Sequence, residues 1–429
     1  MSDIVIYGRG KTGQGLYKLL QRQGKTAVFY DDSVGFDGEG DFTDKSLVLL
    51  SPGVKPDSDG IKRARNAGAT LVTELEFCSK YLPSKCVSVT GTNGKTTVCE
   101  MIRFILNTAG VRNRLLGNGG VPLSSEAADI SPDEAVILES SSFQLANATT
   151  FAPYISVFTS LACDHIDYHG SYGEYVKAKV NNFVRQRQGY AVFNADDENV
   201  VEVSKLCSCK RLYYSAYGSD ADCYFDGNVV VVKLDGKRTV TDCPRLTACA
   251  RHNLSNALAA VLVASLLGVE LDVAVSAVAQ YRLLPHRMQT VATFNGVTFV
   301  DDSKATNVHA TVSALTNYTH PLSLILGGSD KGEAYDGIFN CLGGNVVAVA
   351  ASGDTAQAIA DCGKKYGVNV EVFDGIRQAV AYCYDAVKGG GVVLMSNACA
   401  SFDRFRGYAE RGDYFQQVVK ELSGGKTTN

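Results

Sequence analysis

Residues 85–97, KCVSVTGTNGKTT, read as a short apolar strand, a glycine-rich turn and the first turn of a helix. Glycines let backbone N–H groups approach phosphate oxygens closely, and a helix N-terminus adds positive potential. Within Gly91-Thr92-Asn93-Gly94-Lys95-Thr96, Lys95 stands where it would neutralise the β- and γ-phosphates, and the Thr96 hydroxyl where it would reach Mg²⁺. Val89 occupies the place of the first glycine of the full Walker pattern. The strand–turn–helix setting nevertheless favours an ATP loop over a chance turn, and with it an α/β fold.

The same alternation continues on both sides. Upstream, 3–7, 26–30 and 46–50 read as strands and 12–23 as a helix, the pattern of a parallel sheet. Downstream, strands are expected at 135–138, 155–158 and 190–193, antiparallel hairpins between 223 and 249, and helices at 254–267 and 271–280. A third block carries strands at 289–294, 297–301, 322–326, 346–350, 369–373 and 391–395. Three domains follow: 1–84 and 284–429 Rossmann-like, and 85–283 of the P-loop ATPase type. The 429 residues exceed what one hydrophobic core supports.

Composition narrows the function. A net charge of −4 offers no basic footprint for nucleic acid. No apolar run approaches the roughly 20 residues that span a bilayer, and the N-terminus lacks a basic, signal-like region. The 13 cysteines are odd in number and scattered, which reads as reduced thiols in a cytoplasmic protein. Cys207-Ser208-Cys209 is the closest pair, with no second pair at zinc-site spacing.

Other polar loops sit where sites form. Gly8-Arg9-Gly10-Lys11-Thr12-Gly13 follows a strand and opens a helix, with Asp31 and Asp32 about 20 residues on. Alone, this proposes a nicotinamide or flavin site, or any diphosphate-linked ligand such as a UDP-sugar. Ser51-Pro52-Gly53-Val54 ends another strand of the same block. Glu139 closes a strand and could join Thr96 on Mg²⁺. Asp164-His165 and His169 mix histidine with carboxylates; a hydrogen-bonded loop is the simpler reading for His169. Lys179, on a helix, reads by spacing as a solvated surface group. Asn253 could be a helix cap, while His252 and Asn256 could share a face. Loops at 301–307, 327–332 and 396–403 end three strands of one block and suggest a common substrate face.

Taken in order, these motifs resemble the Mur ligases, the ATP-dependent amide ligases of peptidoglycan precursor synthesis, and the resemblance spans essentially the whole chain. It rests on Gly91–Thr97, Gly117–Gly120, Glu139–Gln144, Asp164-His165, His252-Asn253 with Asn256, and His286-Arg287. Asp302-Ser303-Lys304-Ala305-Thr306-Asn307, Gly327–Gly332 and Ser396–Asp403 resemble the branch that adds D-glutamate.

The resemblance implies a function in cell-wall biogenesis and hence cell shape and division. ATP phosphorylates the terminal carboxylate of UDP-N-acetylmuramoyl-L-alanine, D-glutamate attacks the acyl phosphate, and an amide, ADP and phosphate result. It implies two Mg²⁺, one held by Thr96 and Glu139. The other is held by His165 and Lys179, the latter carbamylated by CO₂ because a protonated amine cannot bind a metal. Lys95, His165, Lys179 and Arg287 become the catalytic set. ATP would be met by Gly91 through Thr97, Asn253, Asn256, Arg287, Asp302 and Lys304. The UDP-substrate would meet Lys11, Thr12, Asp31, Asp32, Ser51, Gly53, Asn118 and Ser141. D-Glutamate would meet Thr306, Lys331, Ser401, Phe402 and Tyr408. A cytoplasmic monomer is expected. Three rivals stay open: another ligase such as a folylpolyglutamate synthase, a nicotinamide-dependent oxidoreductase that leaves 91–96 unexplained, and a nucleotide-gated binding protein.

Overall fold

The computed structural model describes residues 3–38, 40–248, 251–282 and 284–424. The short apolar runs became strands because flanking glycines and polar residues stop each after four to seven residues. The first sheet holds β1 (Ile4–Tyr7), β2 (Val28–Asp31), β3 (Gly35–Phe36), β4 (Leu47–Leu50) and β5 (Thr70–Thr73), in the order 3-2-1-4-5. All pairs are parallel except β2 with β3.

The second sheet holds β6 (Cys86–Thr90), β7 (Asn113–Gly117), β8 (Ala135–Glu139), β9 (Ile155–Phe158), β10 (Tyr190–Asn194) and β11 (Lys210–Ser215). Its remaining strands are β12 (Cys223–Asp226), β13 (Val229–Leu234) and β14 (Lys237–Asp242). The order is 14-13-12-11-10-9-6-8-7. The expected hairpins of 223–249 are β12, β13 and β14, which pair antiparallel. They are not a separate element: β11 pairs parallel with β12 and carries the hairpins into the main sheet. Residues 249 and 250 lie outside the described residues.

The third sheet contains β15 (Gln289–Phe294), β16 (Val297–Asp301), β17 (Leu322–Leu326), β18 (Val346–Ser352), β19 (Val370–Phe373) and β20 (Gly391–Met395). Its order is 15-16-20-17-18-19, parallel apart from β15 with β16. The chain is thus α/β with parallel-dominated sheets.

Two compact units result. One comprises 1–162 with 168–281, and the other 163–167 with 282–429. The first unit holds two sheets because they share a core. Ile6, Leu16 and Leu49 from the first sheet's layer join Leu116, Leu123, Val136 and Leu138 in one buried cluster. In the second unit, apolar residues cover both faces of the third sheet, with Leu324 and Val349 in one cluster and Phe299, Ile325 and Phe415 in another. Parallel sheets covered on both faces need such continuous apolar strands.

Candidate active site

In the second sheet β6 lies between β9 and β8, so the loop after it opens at a change of strand order. Ligands of open α/β sheets bind there. The helix Lys95–Thr108 begins directly after Gly94, which has φ +88°. A Cβ on Gly94 would lie 2.7 Å from Asn256 Oδ1, so this turn requires glycine on both conformational and spatial grounds. The loop is tied down from behind: Thr92 N donates to Ser160 O at 2.8 Å, and Asn93 N to Ser160 Oγ at 2.9 Å.

Lys95 Nζ folds back to donate to Gly91 O at 2.8 Å and Thr92 O at 2.9 Å. Lys179 Nζ donates to the same Gly91 oxygen at 2.7 Å. Lys179 is only 2% exposed, on the buried face of the helix Tyr172–Val180, and its amine lies 4.8 Å from the Tyr175 ring centroid. The spacing-based expectation of a surface lysine does not hold. The surface lysine of this helix is Lys177, whose side chain is 74% exposed and pairs with Glu174.

Glu139 ends β8 beside the loop and is buried. Asn118 Nδ2 donates to its Oε1 at 3.2 Å, and Asn118 N to its backbone oxygen at 2.8 Å. A Cβ on Gly119 would come within 2.2 Å of Oε2, so the chain runs directly over the carboxylate. Among the described residues no three His, Cys, Asp or Glu side chains cluster as a metal cage. A Mg²⁺ shared between phosphates and one or two protein oxygens suits this donor set, since Mg²⁺ keeps most of its shell from water and phosphate. Thr96 is half-buried at the helix start, and the buried Thr97 Oγ1 has no hydrogen-bond partner. Asn253 is the third residue of the helix Arg251–Leu266, inside it rather than at a capping position.

The first sheet presents a cavity of about 490 Å³ at its own change of strand order, beyond β1 and β4. Lys11, Thr12, Asp31, Ser51, Gly53 and Asn118 all line it. The helix Lys11–Arg22 starts at its rim. Ser51 Oγ and Arg9 Nε are buried without a hydrogen-bond partner, so the wall offers donors to a polar ligand. Ser33 N and Oγ donate to Asp31, at 3.1 and 2.6 Å, and hold its carboxyl below the usual range. Asp32 does not line the cavity. Its oxygens accept from Tyr7, from Tyr30 at 3.2 Å and from Gly60 N at 2.9 Å, which locks the turn instead. Ser141 likewise acts locally, in a capping box with Gln144 that starts the helix Ser142–Leu145. His169 is hydrogen-bonded as expected, with Nε2 2.9 Å from Ser142 Oγ, but it ends the short helix Ile166–His169 rather than lying in a loop.

In the second unit, β16, β20 and β17 are neighbours, and their carboxyl ends carry the three polar loops together. Asp302 is buried; Ser396 Oγ donates to Oδ2 at 2.8 Å and Met288 N to Oδ1 at 3.2 Å. Burial outweighs these donors and the nearby Arg287 and pushes the carboxyl up to about 7. Lys304 Nζ donates to Tyr408 Oη at 3.0 Å. Lys331 Nζ lies 3.8 Å from Asp164 Oδ1, and Asn307 Nδ2 donates to Asp164 Oδ2 at 3.2 Å. His165, with φ +54°, has Nε2 3.6 Å from Asp164. Thr306 is half-buried, Ser401 buried, and Phe402 74% exposed.

One residue of this face went unread in the sequence. Arg411, on the helix Tyr408–Leu422, is 2% exposed and binds all three loops. It donates to Ser303 O at 2.8 Å, Ser303 Oγ at 2.9 Å, Cys399 O at 3.0 Å, Ala400 O at 3.1 Å and Gly327 O at 3.4 Å. Five carbonyl and hydroxyl acceptors replace its hydration, while burial lowers its pKa to about 10.

Known proteins share this architecture. The model of the Mur ligase middle domain matches residues 89–264, and that of the Mur ligase glutamate ligase domain matches residues 286–399. These matches define an ATP-dependent, ADP-forming ligase of multi-domain α/β build. UDP-N-acetylmuramoylalanine–D-glutamate ligase of Pelotomaculum thermopropionicum is 32% identical over 98% of both chains. That of Bacillus cereus (strain B4264) is 35% identical over 98% of both. The chain belongs to the Mur ligase family and, within it, groups with the UDP-N-acetylmuramoylalanine–D-glutamate ligases. Solved structures share the fold at low identity. A pseudomurein peptide ligase type C from Methanothermus fervidus superposes with TM-score 0.62 at 16% identity, over 98% of this chain and 99% of that one. MurF ligase from Thermotoga maritima, in complex with ADP, gives 0.59 at 16%, over 98% and 96%. Among the described residues no helix is long and apolar enough to cross a membrane.

Proposed function

We propose that this chain joins D-glutamate to UDP-N-acetylmuramoyl-L-alanine at the expense of ATP, in the cytoplasm and as a monomer. The observation that carries the reading is the meeting of Lys95 and Lys179 on one carbonyl oxygen, that of Gly91. The two amines share that single acceptor at the head of the loop. Polyphosphate entering the loop draws Lys95 toward it, and conversion of Lys179 into a carbamate anion by CO₂ turns the second amine into a metal ligand.

In this reading residues 1–84 form the UDP-substrate domain, with Lys11, Thr12 and Asp31 toward the uridine end and Ser51 and Gly53 at the diphosphate. Residues 85–283 hold ATP on Gly91–Thr97, with Asn253 and Asn256 toward the base. Residues 284–429 supply Arg287, Asp302 and Lys304 to the nucleotide, and Thr306, Lys331, Ser401, Phe402 and Tyr408 to D-glutamate. Lys331 suits this role because a dicarboxylate needs a cation.

Thr96 and Glu139 would hold one Mg²⁺, and His165 and carbamylated Lys179 a second. When bound, these ions neutralise charge where two anions must meet. Lys95 and Arg287 stabilise the phosphoryl group as it passes to the acceptor carboxylate. The acyl phosphate then meets the amine of D-glutamate, a tetrahedral intermediate forms, and phosphate leaves as the amide closes.

The test is phosphate release with ATP, Mg²⁺ and UDP-N-acetylmuramoyl-L-alanine across a panel of amino acids. Release should require D-glutamate. Equal release with L-glutamate or a diamino acid, or tight NAD(H) binding without ATP binding, would sink the assignment.

A further inference from the structure

Cys207 and Cys209 flank Ser208 in the turn between the helix Glu198–Ser204 and β11. Their sulfurs lie 3.4 Å apart, and both side chains are half-buried against the cluster of Phe193 and Val200. Cys207 Sγ also sits 3.8 Å from Cys209 O. No third His, Cys, Asp or Glu joins them among the described residues, so the pair does not form part of a metal cage.

We propose that Cys207 and Cys209 are a peroxide-reactive dithiol that closes reversibly to a disulfide. The reaction needs a thiolate, a neighbouring thiol and access, and the turn supplies all three. The hydrogen bond between the two sulfurs, with Arg211 and Arg187 nearby, lowers the Cys207 pKa, while Cys209 is raised. Cys163 is a useful contrast. It is exposed, yet partial burial and the carboxylates of Glu333 and Asp164 raise its pKa. Exposure alone therefore does not make a thiol reactive.

The chemistry balances with hydrogen peroxide as oxidant. The Cys207 sulfur attacks one peroxide oxygen, the O–O bond breaks, and the departing oxygen takes a proton and leaves as water. Cys207 is then a sulfenic acid. The Cys209 sulfur, giving up its proton, attacks the Cys207 sulfur; the S–O bond breaks and a second water leaves. Two thiols lose two hydrogens and one peroxide becomes two waters. With one residue between the cysteines the ring is small and strained, so a dithiol reductant should reopen it readily.

The full-length protein can be treated with equimolar hydrogen peroxide, alkylated and digested with trypsin, which releases Leu206–Lys210 as one peptide. That peptide should lose both alkylation sites together and two hydrogens in mass, and recover both after dithiothreitol. In Cys209→Ser protein, Cys207 should be captured by a sulfenic-acid probe before Cys163. Both sites still alkylated once Cys163 is oxidised would overturn the proposal. So would sulfonic acids without a disulfide, or Cys163 labelled first in the Cys209→Ser protein.

Discussion

Two glycine loops in the first unit share one plan, a strand, a tight turn and a helix N-terminus, yet they are built for different ligands. Gly8–Gly13 opens onto a cavity of about 490 Å³ that has Lys11 at its rim and Asp31 in its wall. Gly91–Thr96 is closed in by Thr159, Ser160 and Asn256, with two lysine amines on its first carbonyl and the buried Glu139 beside it. Backbone shape makes both into anion sites. The side chains around them decide whether the anion is merely held or is made to react.

The comparison can be broken most sharply at Lys179. Lys179→Ala should lower turnover by about a thousandfold, in the range seen when one group aimed at developing charge is removed, and added bicarbonate should return part of it. Full phosphate release in that variant without bicarbonate would refute the role. Lys11→Ala should act differently: KM for the UDP-substrate rises by about tenfold, consistent with one charge-assisted hydrogen bond worth roughly 1.5–3 kcal/mol, with kcat within about twofold. A matching loss of kcat would mean that the two loops are not functionally distinct.

The loops should also differ in tolerance. Gly94→Ala meets both φ +88° and the Asn256 oxygen, so thermal unfolding should show a loss of about 1–3 kcal/mol. Gly10 has φ −69°, and a methyl group there would meet no heavy atom within 4 Å, so Gly10→Ala should cost about 0.5–1 kcal/mol or less. Equal losses would remove the distinction between a closed loop and an open one.

A strand-end loop of the second unit gives the mildest test. The folded-state pKa of Asp302 is raised to about 7 by burial. Its contribution to stability is then fully present below its unfolded pKa, near 4, and is lost as pH rises through 7. Urea midpoints should fall over that window, and Asp302→Asn should flatten part of the fall. An unchanged slope in the variant would mean that the carboxyl is not held neutral.

Much of this was legible in the sequence, for identifiable reasons. The six strands of the third block stand at their expected places because each is a short apolar run bounded by glycine or polar residues. The loop residues 91–96 were legible because backbone geometry there dictates residue type. Lys179 was not legible from spacing: a lysine on a helix reads as surface, and only the tertiary position of Gly91 gives its amine a reason to be buried. Arg411 failed in the same way, since its acceptors are carbonyls of loops up to 108 residues away. Of the doubled Asp31-Asp32, the sequence could not say which lines the cavity. Three donors from Tyr7, Tyr30 and Gly60 turn Asp32 away.

The shared core of the first two sheets has a consequence for how the chain opens. Leu16 and Leu19 on one side and Leu123 and Leu138 on the other are buried by each other. Amide protons of β1 and β8 should therefore exchange with deuterium through the same cooperative opening, as a single foldon. A nick near Leu82-Pro83 would leave two fragments still clasped together, and a clone ending there would present a greasy, aggregation-prone face instead of a working nucleotide module.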